Sequence, residues 1–362
     1  MGKRILLFLI ANCIILGNVY CLVDLNATKE TKALYHNLIS TTKKGVMFGH
    51  QDDTLYGIGW KNEVNRSDVK TVCGDYPAVY GWEIGNIELG CSESLDSVSF
   101  DILRRNIMEA YGRGGVNTIS WHANNPESGK NAWDCNSNTA VMSILPKGIN
   151  HAKFNSWLDI VANFLTSLKD KNGNQIPILF RPWHEQNGIW FWWGKSHATV
   201  REYCDLYRYT VTYLRDKKNV HNLIYVWSPS IYQSKKELLE TYPGDKFVDV
   251  MGVDWYKLNE KYQDEANSLL NILAKVSTNR KKVMAFTETG YEGIKDKEFW
   301  TKQLLPVLNG KPISYVLVWR NAFNIKGHFF APYPGSSSAE DFIKFKNGGR
   351  MLFESDLPNM YK

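Results

Sequence analysis

The 362-residue chain predicts a single-domain α/β fold, a closed (β/α)8 TIM barrel, from three observations. Short β-rich runs alternate with helix-period segments, the runs number eight, and no Pro/Ser/Gly linker or low-complexity tract breaks the alternation after the N-terminus. Strand, helix, strand repeated eight times is the grammar of a barrel. A doubly wound open sheet is the alternative, but no Gly-rich nucleotide fingerprint follows the first run.

In chain order, residues 1–21 read as a signal peptide: Lys3 and Arg4, an apolar run over 5–16, then small or neutral residues before a polar segment from Asp24. The apolar run is too short for a permanent membrane anchor, so the protein is expected to be exported, to the periplasm or beyond. Cys21 raises lipid attachment as an alternative, which Asn18-Val19-Tyr20 fits poorly because such sites want small residues before the cysteine. Residues 22–44 are expected to be an extension packing on the barrel, and 45–362 the barrel itself. The β-rich runs fall at 46–49, 78–83, 116–121, 176–183, 223–228, 248–255, 283–288 and 315–320. Helical periodicity is clearest over 94–113, 154–169, 199–217, 259–276 and 295–308.

Composition narrows the function. Hydrophobic residues at 44% and charged residues at 22% allow a sizeable core and argue against disorder. Thirteen Trp and nineteen Tyr suit either an aromatic core or a cleft that lays sugar faces on rings. A net charge of +6, two of it from Lys3 and Arg4, is mild, and without a Lys/Arg block or an RNP pattern nothing asks for nucleic acid. With neither CxxC nor a His/Cys ligand cluster, no metal or cofactor is expected. Export permits disulfides among Cys73, Cys91, Cys135 and Cys204, and the sequence selects no pairing.

Barrel enzymes carry their chemistry where the strands end. Here those ends read Gly49-His50-Gln51, Trp82-Glu83, Trp121-His122, Arg181-Pro-Trp-His-Glu185, Trp227-Ser228, Asp254-Trp-Tyr256, Glu288 and Trp319-Arg320. Glu185 and Glu288 end the fourth and seventh strands, nearly opposite in the ring, so their carboxyls can converge across the mouth. Two converging carboxyls are what glycoside hydrolysis needs, one to protonate the leaving oxygen and one to attack carbon or activate water.

The segments Phe180-Arg-Pro-Trp-His-Glu185-Gln-Asn-Gly-Ile-Trp190, Asp249-Val-Met-Gly-Val-Asp-Trp-Tyr256 and Thr287-Glu288-Thr-Gly290 resemble glycoside hydrolase family 26, whose best-known members are β-mannanases. Phe48-Gly-His-Gln51, Trp121-His122 and Trp319-Arg320 extend the resemblance from about residue 45 to the end. It implies a retaining double displacement on β-mannan or manno-oligosaccharides by a chain acting alone, with Glu185 as acid/base and Glu288 as nucleophile. It further implies that His184 touches the 2-OH of the sugar, that Tyr256 orients the nucleophile, and that Asp254 is a sugar contact. Trp190 and Trp319 are implied as stacking platforms, and His122, Trp133 and Arg320 as the glycone side. Trp192 and Trp193 are read as core. Some family members carry a subsite aromatic a few positions after the nucleophile, and here Tyr291 is what the segment offers.

Rival readings are a mixed-linkage glucanase or xylanase of the same fold, a non-catalytic carbohydrate-binding barrel, and a phosphate-handling barrel. The binding barrel would normally lack one Glu; the phosphate barrel would want a Gly-rich loop where this chain has Glu288-Thr-Gly and Trp319-Arg-Asn. Between His122 and Phe154 lie about thirty residues with little regular pattern, longer than structureless loops usually run. Such a loop could close the glycone end, so that the enzyme clips mannobiose from non-reducing ends with Lys147 holding the terminal unit. Equally, it could line an open cleft that cuts internally.

Overall fold

The computed structural model of the protein describes residues 20–362, so most of the expected signal peptide lies outside the described residues. Eight parallel strands close into a ring: β1 (Val46–Gln51), β2 (Val79–Glu83), β3 (Val116–Trp121), β4 (Ile178–Pro182), β5 (Leu223–Trp227), β6 (Val250–Met251, resumed at Asp254–Tyr256), β7 (Val283–Gly290) and β8 (Ile313–Val318). Closure is direct, since β1 pairs in parallel with β8 through Met47 opposite Tyr315 and with β2 through Gly49 opposite Val79. The expected runs are all present. The sixth is split, and β7 runs on to Gly290 because Glu288, Thr289 and Gly290 pair with Asp254, Trp255 and Tyr256. That pairing places the outer end of β6 beside Glu288.

Every barrel strand is buried along nearly its whole length, as expected of strands covered by helices outside and packed side chains inside. The interior cluster is aliphatic, built from Met47, Val79, Val116, Leu179, Ile224, Val226, Val250 and Ala285. α1 (Lys29–Thr41) joins this cluster through Leu34, Tyr35 and Leu38 and closes the end of the barrel away from the site. Thr28 caps its first turn, its hydroxyl accepting from Thr31 N–H at 3.2 Å, and each buried Leu contributes about 2 kcal/mol. The layer between strands and helices is aromatic: Phe48 lies 5.1 Å from Phe342 and 5.2 Å from Phe353. Trp82, Trp121, Trp183, Trp192, Trp193, Trp227 and Trp300 are fully buried, so the Trp surplus is mostly core, and Trp192 and Trp193 belong to it as read.

Helix boundaries follow caps more than periodicity. The 94–113 segment is helical only as Phe100–Arg113, because Ser99 caps its start. Thr199 and Glu202 form a capping box that opens the helix Val200–Thr212, which ends in a π turn at Tyr213–Lys217. The long segment after His122 is not structureless: it holds a short helix, Ala140–Ile144, and the following helix starts at His151. Asn125 ties its first part, donating to the Asp134 carbonyl at 2.8 Å and accepting from Glu127 N–H at 2.9 Å. The five described cysteines, Cys21, Cys73, Cys91, Cys135 and Cys204, are all free thiols. Among the described residues no helix is long and apolar enough to cross a membrane.

Candidate active site

The turn after β4 presents Glu185 in an unusual backbone. Trp183 and Glu185 have φ of 56° and 53°, left-handed conformations that cost a non-glycine residue about 1 kcal/mol or more each. Neighbours hold them there. The Trp183 indole donates to Thr210 at 3.0 Å, Tyr203 donates its hydroxyl to the Trp183 carbonyl at 3.0 Å, and the Trp193 indole donates to the His184 carbonyl at 2.9 Å. Glu185 N–H reaches across to the Ser228 carbonyl of the next strand at 2.8 Å. Trp183 within the run and Trp193 after it thus stabilise a strained turn that lifts one carboxyl into the barrel mouth.

One oxygen each from Glu185, Asp254 and Glu288 lie within 4.8 Å of one another. Three acidic groups this close could gather a cation, and the cation present is the Arg181 guanidinium. It donates to Asp254 Oδ2 at 2.9 Å and, with its other terminal nitrogen, to Glu288 Oε1. Tyr256 donates its hydroxyl to the second oxygen of Glu288 at 2.6 Å. Both oxygens of Glu288 therefore accept, which is the bonding of a carboxylate. Glu185 meets a different environment: its one side-chain donor is the Trp190 indole at 2.7 Å. Burial, then the negative charges of Glu288 and Asp254, push its carboxyl well above the usual range, against the opposing pull of Trp190 and Arg181. The two carboxyls thus differ in their donors: Arg181 donates to Glu288 and Asp254, and Glu185 keeps only the Trp190 indole.

This arrangement has a consequence for stability. A carboxyl raised on folding contributes stability that is full in acid and is lost as pH rises through its folded value. Glu185→Gln is therefore expected to melt at a higher temperature than the unmodified chain near pH 8, the gap closing by about pH 3, below the ordinary carboxyl value, where both states are protonated. A melting difference that does not change with pH would refute the raised carboxyl.

The remaining expected residues fall into three groups. His122 stacks on Trp133 with ring centroids 5.3 Å apart, Trp319 stands 6.2 Å from His122, and Arg320 pairs with Asp96 at 3.0 Å. These residues from the third and eighth strand ends form one wall of the mouth, and Trp133 and Trp190 are the tryptophans with large exposed faces, at 45% and 39%. Asp254 and His184, by contrast, are withdrawn. Asp254 is fully buried and takes Arg181 and Ser228 on one oxygen and Thr287 on the other, so it faces Arg181 and not the cleft. His184 is 1% exposed, with Nε2 3.1 Å from His122 Nε2 and a buried, unpartnered Nδ1. The third group is Lys147 alone, exposed on a left-handed turn with φ of 77°. Among the described residues its side chain makes no hydrogen bond or ion pair with the site. Tyr291 packs 5.9 Å from Phe299, under the Lys257 ammonium at 5.4 Å.

Sequence reasoning did not single out Arg181, Ser228, Thr287 or Glu83, although each sits at a strand end or in a motif quoted above. A buried Arg four residues before an acid is visible in sequence only as an oddity; its bridging of Asp254 and Glu288 needs the closed ring.

A closed (β/α)8 barrel carrying two carboxyls of unlike environment across its mouth has the equipment of a glycoside hydrolase. The chain belongs to Glycosyl hydrolase family 26, whose sequence model matches residues 23–324. It is 37% identical to the mannan endo-1,4-beta-mannosidase of Bifidobacterium adolescentis over 94% of this chain and 36% of that protein, so it spans about a third of that relative's length. A solved GH26 beta-mannanase from Bacteroides ovatus is 48% identical, with a TM-score of 0.91 over 92% of this chain and 98% of that one. An endo-beta-1,4-mannanase from Cellulomonas fimi is 34% identical, with a TM-score of 0.86 over 95% of this chain and 80% of the other.

Proposed function

We propose that the protein hydrolyses β-1,4-mannosidic bonds with retention of configuration, Glu288 attacking the anomeric carbon and Glu185 first protonating the leaving oxygen and then deprotonating water. The observation that carries this is the unequal pair: Glu288 with both oxygens accepting, from Arg181 and Tyr256, and Glu185 with its carboxyl pushed well above the usual range by burial and by the charge of Glu288. Their approach within 4.8 Å supports direct attack, since an inverting pair stands roughly 6.5–9.5 Å apart to admit a water. Mannan as substrate is supported by the names of the Bifidobacterium, Bacteroides and Cellulomonas relatives. Trp133 and Trp319, with Arg320, hold the glycone; Trp190 both orients Glu185 and offers its exposed face to the sugar.

The mode of attack is proposed as internal cleavage. Clipping mannobiose from chain ends requires a grip on the terminal sugar, and Lys147 stands on an exposed turn without a bond to the site. Export, and monomeric action, remain part of the same proposal on the strength of the leader-like residues 1–21 and the complete single-chain site.

One digestion tests the whole reading. On linear mannan the first product seen by NMR is expected in the β configuration, in a spread of oligosaccharide lengths with rapid loss of viscosity, and lichenan and xylan are expected to be poor substrates. α product seen first would reject the retaining pair. Mannobiose dominating from the first minutes, and vanishing in Lys147→Ala, would restore end-clipping.

A further inference from the structure

We propose that Glu83 is a positioning residue that sets the proton order of the His122–His184 pair behind the glycone wall. The inference rests on the glycosidase reading above only for its kinetic consequence. Its geometric part stands on the folded chain alone.

Glu83 ends β2 and is 2% exposed. Four donors converge on its two oxygens. Oε1 accepts from Gly85 N–H at 2.5 Å and from His122 N–H at 2.9 Å; Oε2 accepts from the Ser120 hydroxyl at 2.7 Å and from His122 Nδ1 at 2.7 Å. A buried carboxyl met only by donors is a carboxylate, and His122 must carry its proton on Nδ1 to face it. His122 Nε2 then meets His184 Nε2 at 3.1 Å, and one of the two nitrogens has to donate. An unpaired buried N–H is rarer than an unpaired buried acceptor. With His184 Nδ1 buried and partnerless, the satisfied arrangement leaves Nδ1 bare and puts the His184 proton on Nε2, pointing to His122. The chain of protons runs from His184 to His122 to Glu83.

The surroundings of Glu83 and His184 agree with this order, which holds for a neutral His122; a second proton on His122 would turn its Nε2 into a donor to His184. Burial would raise Glu83, but His122 outweighs it and holds the carboxyl below the usual range. Burial would lower His122, and Glu83 outweighs that and raises it. His184 is pushed well down by burial and then by Arg181 and His122, so it is neutral. The functional weight comes from position. His122 carries Trp133 on its face, and His184 is the residue immediately before Glu185, so an error in ring orientation passes to the sugar platform and to the proton donor together.

Gln at position 83 would have the same shape but must aim its amide N–H2 at one of the two donor pairs. Either His122 loses its Nδ1 acceptor or two backbone N–H groups lose theirs. The test is imidazole 15N NMR of the full chain without substrate, with His122→Asn used to assign the signals, alongside kinetics on mannohexaose. In the unmodified protein His122 is expected with a proton on Nδ1 and His184 as the neutral Nε2–H form. In Glu83→Gln the His122 signals are expected to change and kcat to fall by about 10–100-fold while KM moves less. A His122 lacking the Nδ1 proton in the unmodified spectrum overturns the proposal whether or not any variant folds. So does Glu83→Gln with unchanged imidazole signals and kcat within twofold. Loss of mannan activity in the unmodified chain would instead strike the functional reading and leave the proton order standing.

Discussion

Glu288→Ala is expected to lower kcat on mannan by about 10⁴-fold or more and to gain little from a better leaving group. The carboxylate is the atom pair that attacks, and no neighbour can replace it: Asp254 is turned to Ser228 and Thr287, and Tyr256 is a donor. Removing it also frees Arg181, which keeps Asp254 as an ion-pair partner, so the variant is expected to fold. Activity on an activated aryl β-mannoside should remain as low as on mannan. Rescue by such a substrate to within about tenfold of the unmodified chain would remove Glu288 from the role of nucleophile.

Glu185→Ala is expected to lower kcat on mannan by about 10²–10⁴-fold, the usual worth of a positioned proton donor. An aryl leaving group that departs as a stable anion needs no protonation, so the first step is expected to recover on that substrate. The second step still lacks its base. A glycosyl-enzyme should therefore accumulate, giving a burst of aryl alcohol, a lowered KM and a mass increase on the intact protein. Equal rescue of the two variants, or none in either, would sink the division of labour between them. The division follows from a local asymmetry, since Arg181 donates to Glu288 and Asp254 and leaves Glu185 with the Trp190 indole as its side-chain donor.

The order of strands and the positions of their outer ends were legible in the chain because parallel barrel strands are short, apolar on both faces and separated by helix-length segments. The two Glu residues could be placed for the same reason: Glu288 ends one β-rich run and Glu185 lies two residues past another, so ring geometry alone sets them across the mouth. What periodicity misjudged were boundaries decided by single side chains, as at Ser99, and the segment after His122. There the side-chain bonds of Asn125 and a five-residue helix at Ala140–Ile144 organise a stretch whose pattern is too short to read.

Site membership divides along the same line. A residue type at a strand end says that a side chain is near the mouth, and this holds for His122, Tyr256, Trp319 and Arg320, while the loops that follow the third and fourth strands bring Trp133 and Trp190 there. It does not say which way the side chain points. Asp254 stands two residues before Tyr256 and His184 one before Glu185, yet both are withdrawn, one behind Arg181 and one behind His122, because the interior offers them buried partners. The sequence by itself determined the barrel, the two carboxyls and the family. Only the tertiary structure decided which carboxyl receives the guanidinium, which ring carries which proton and that Lys147 stands apart, since each depends on distances between strands far apart in the chain.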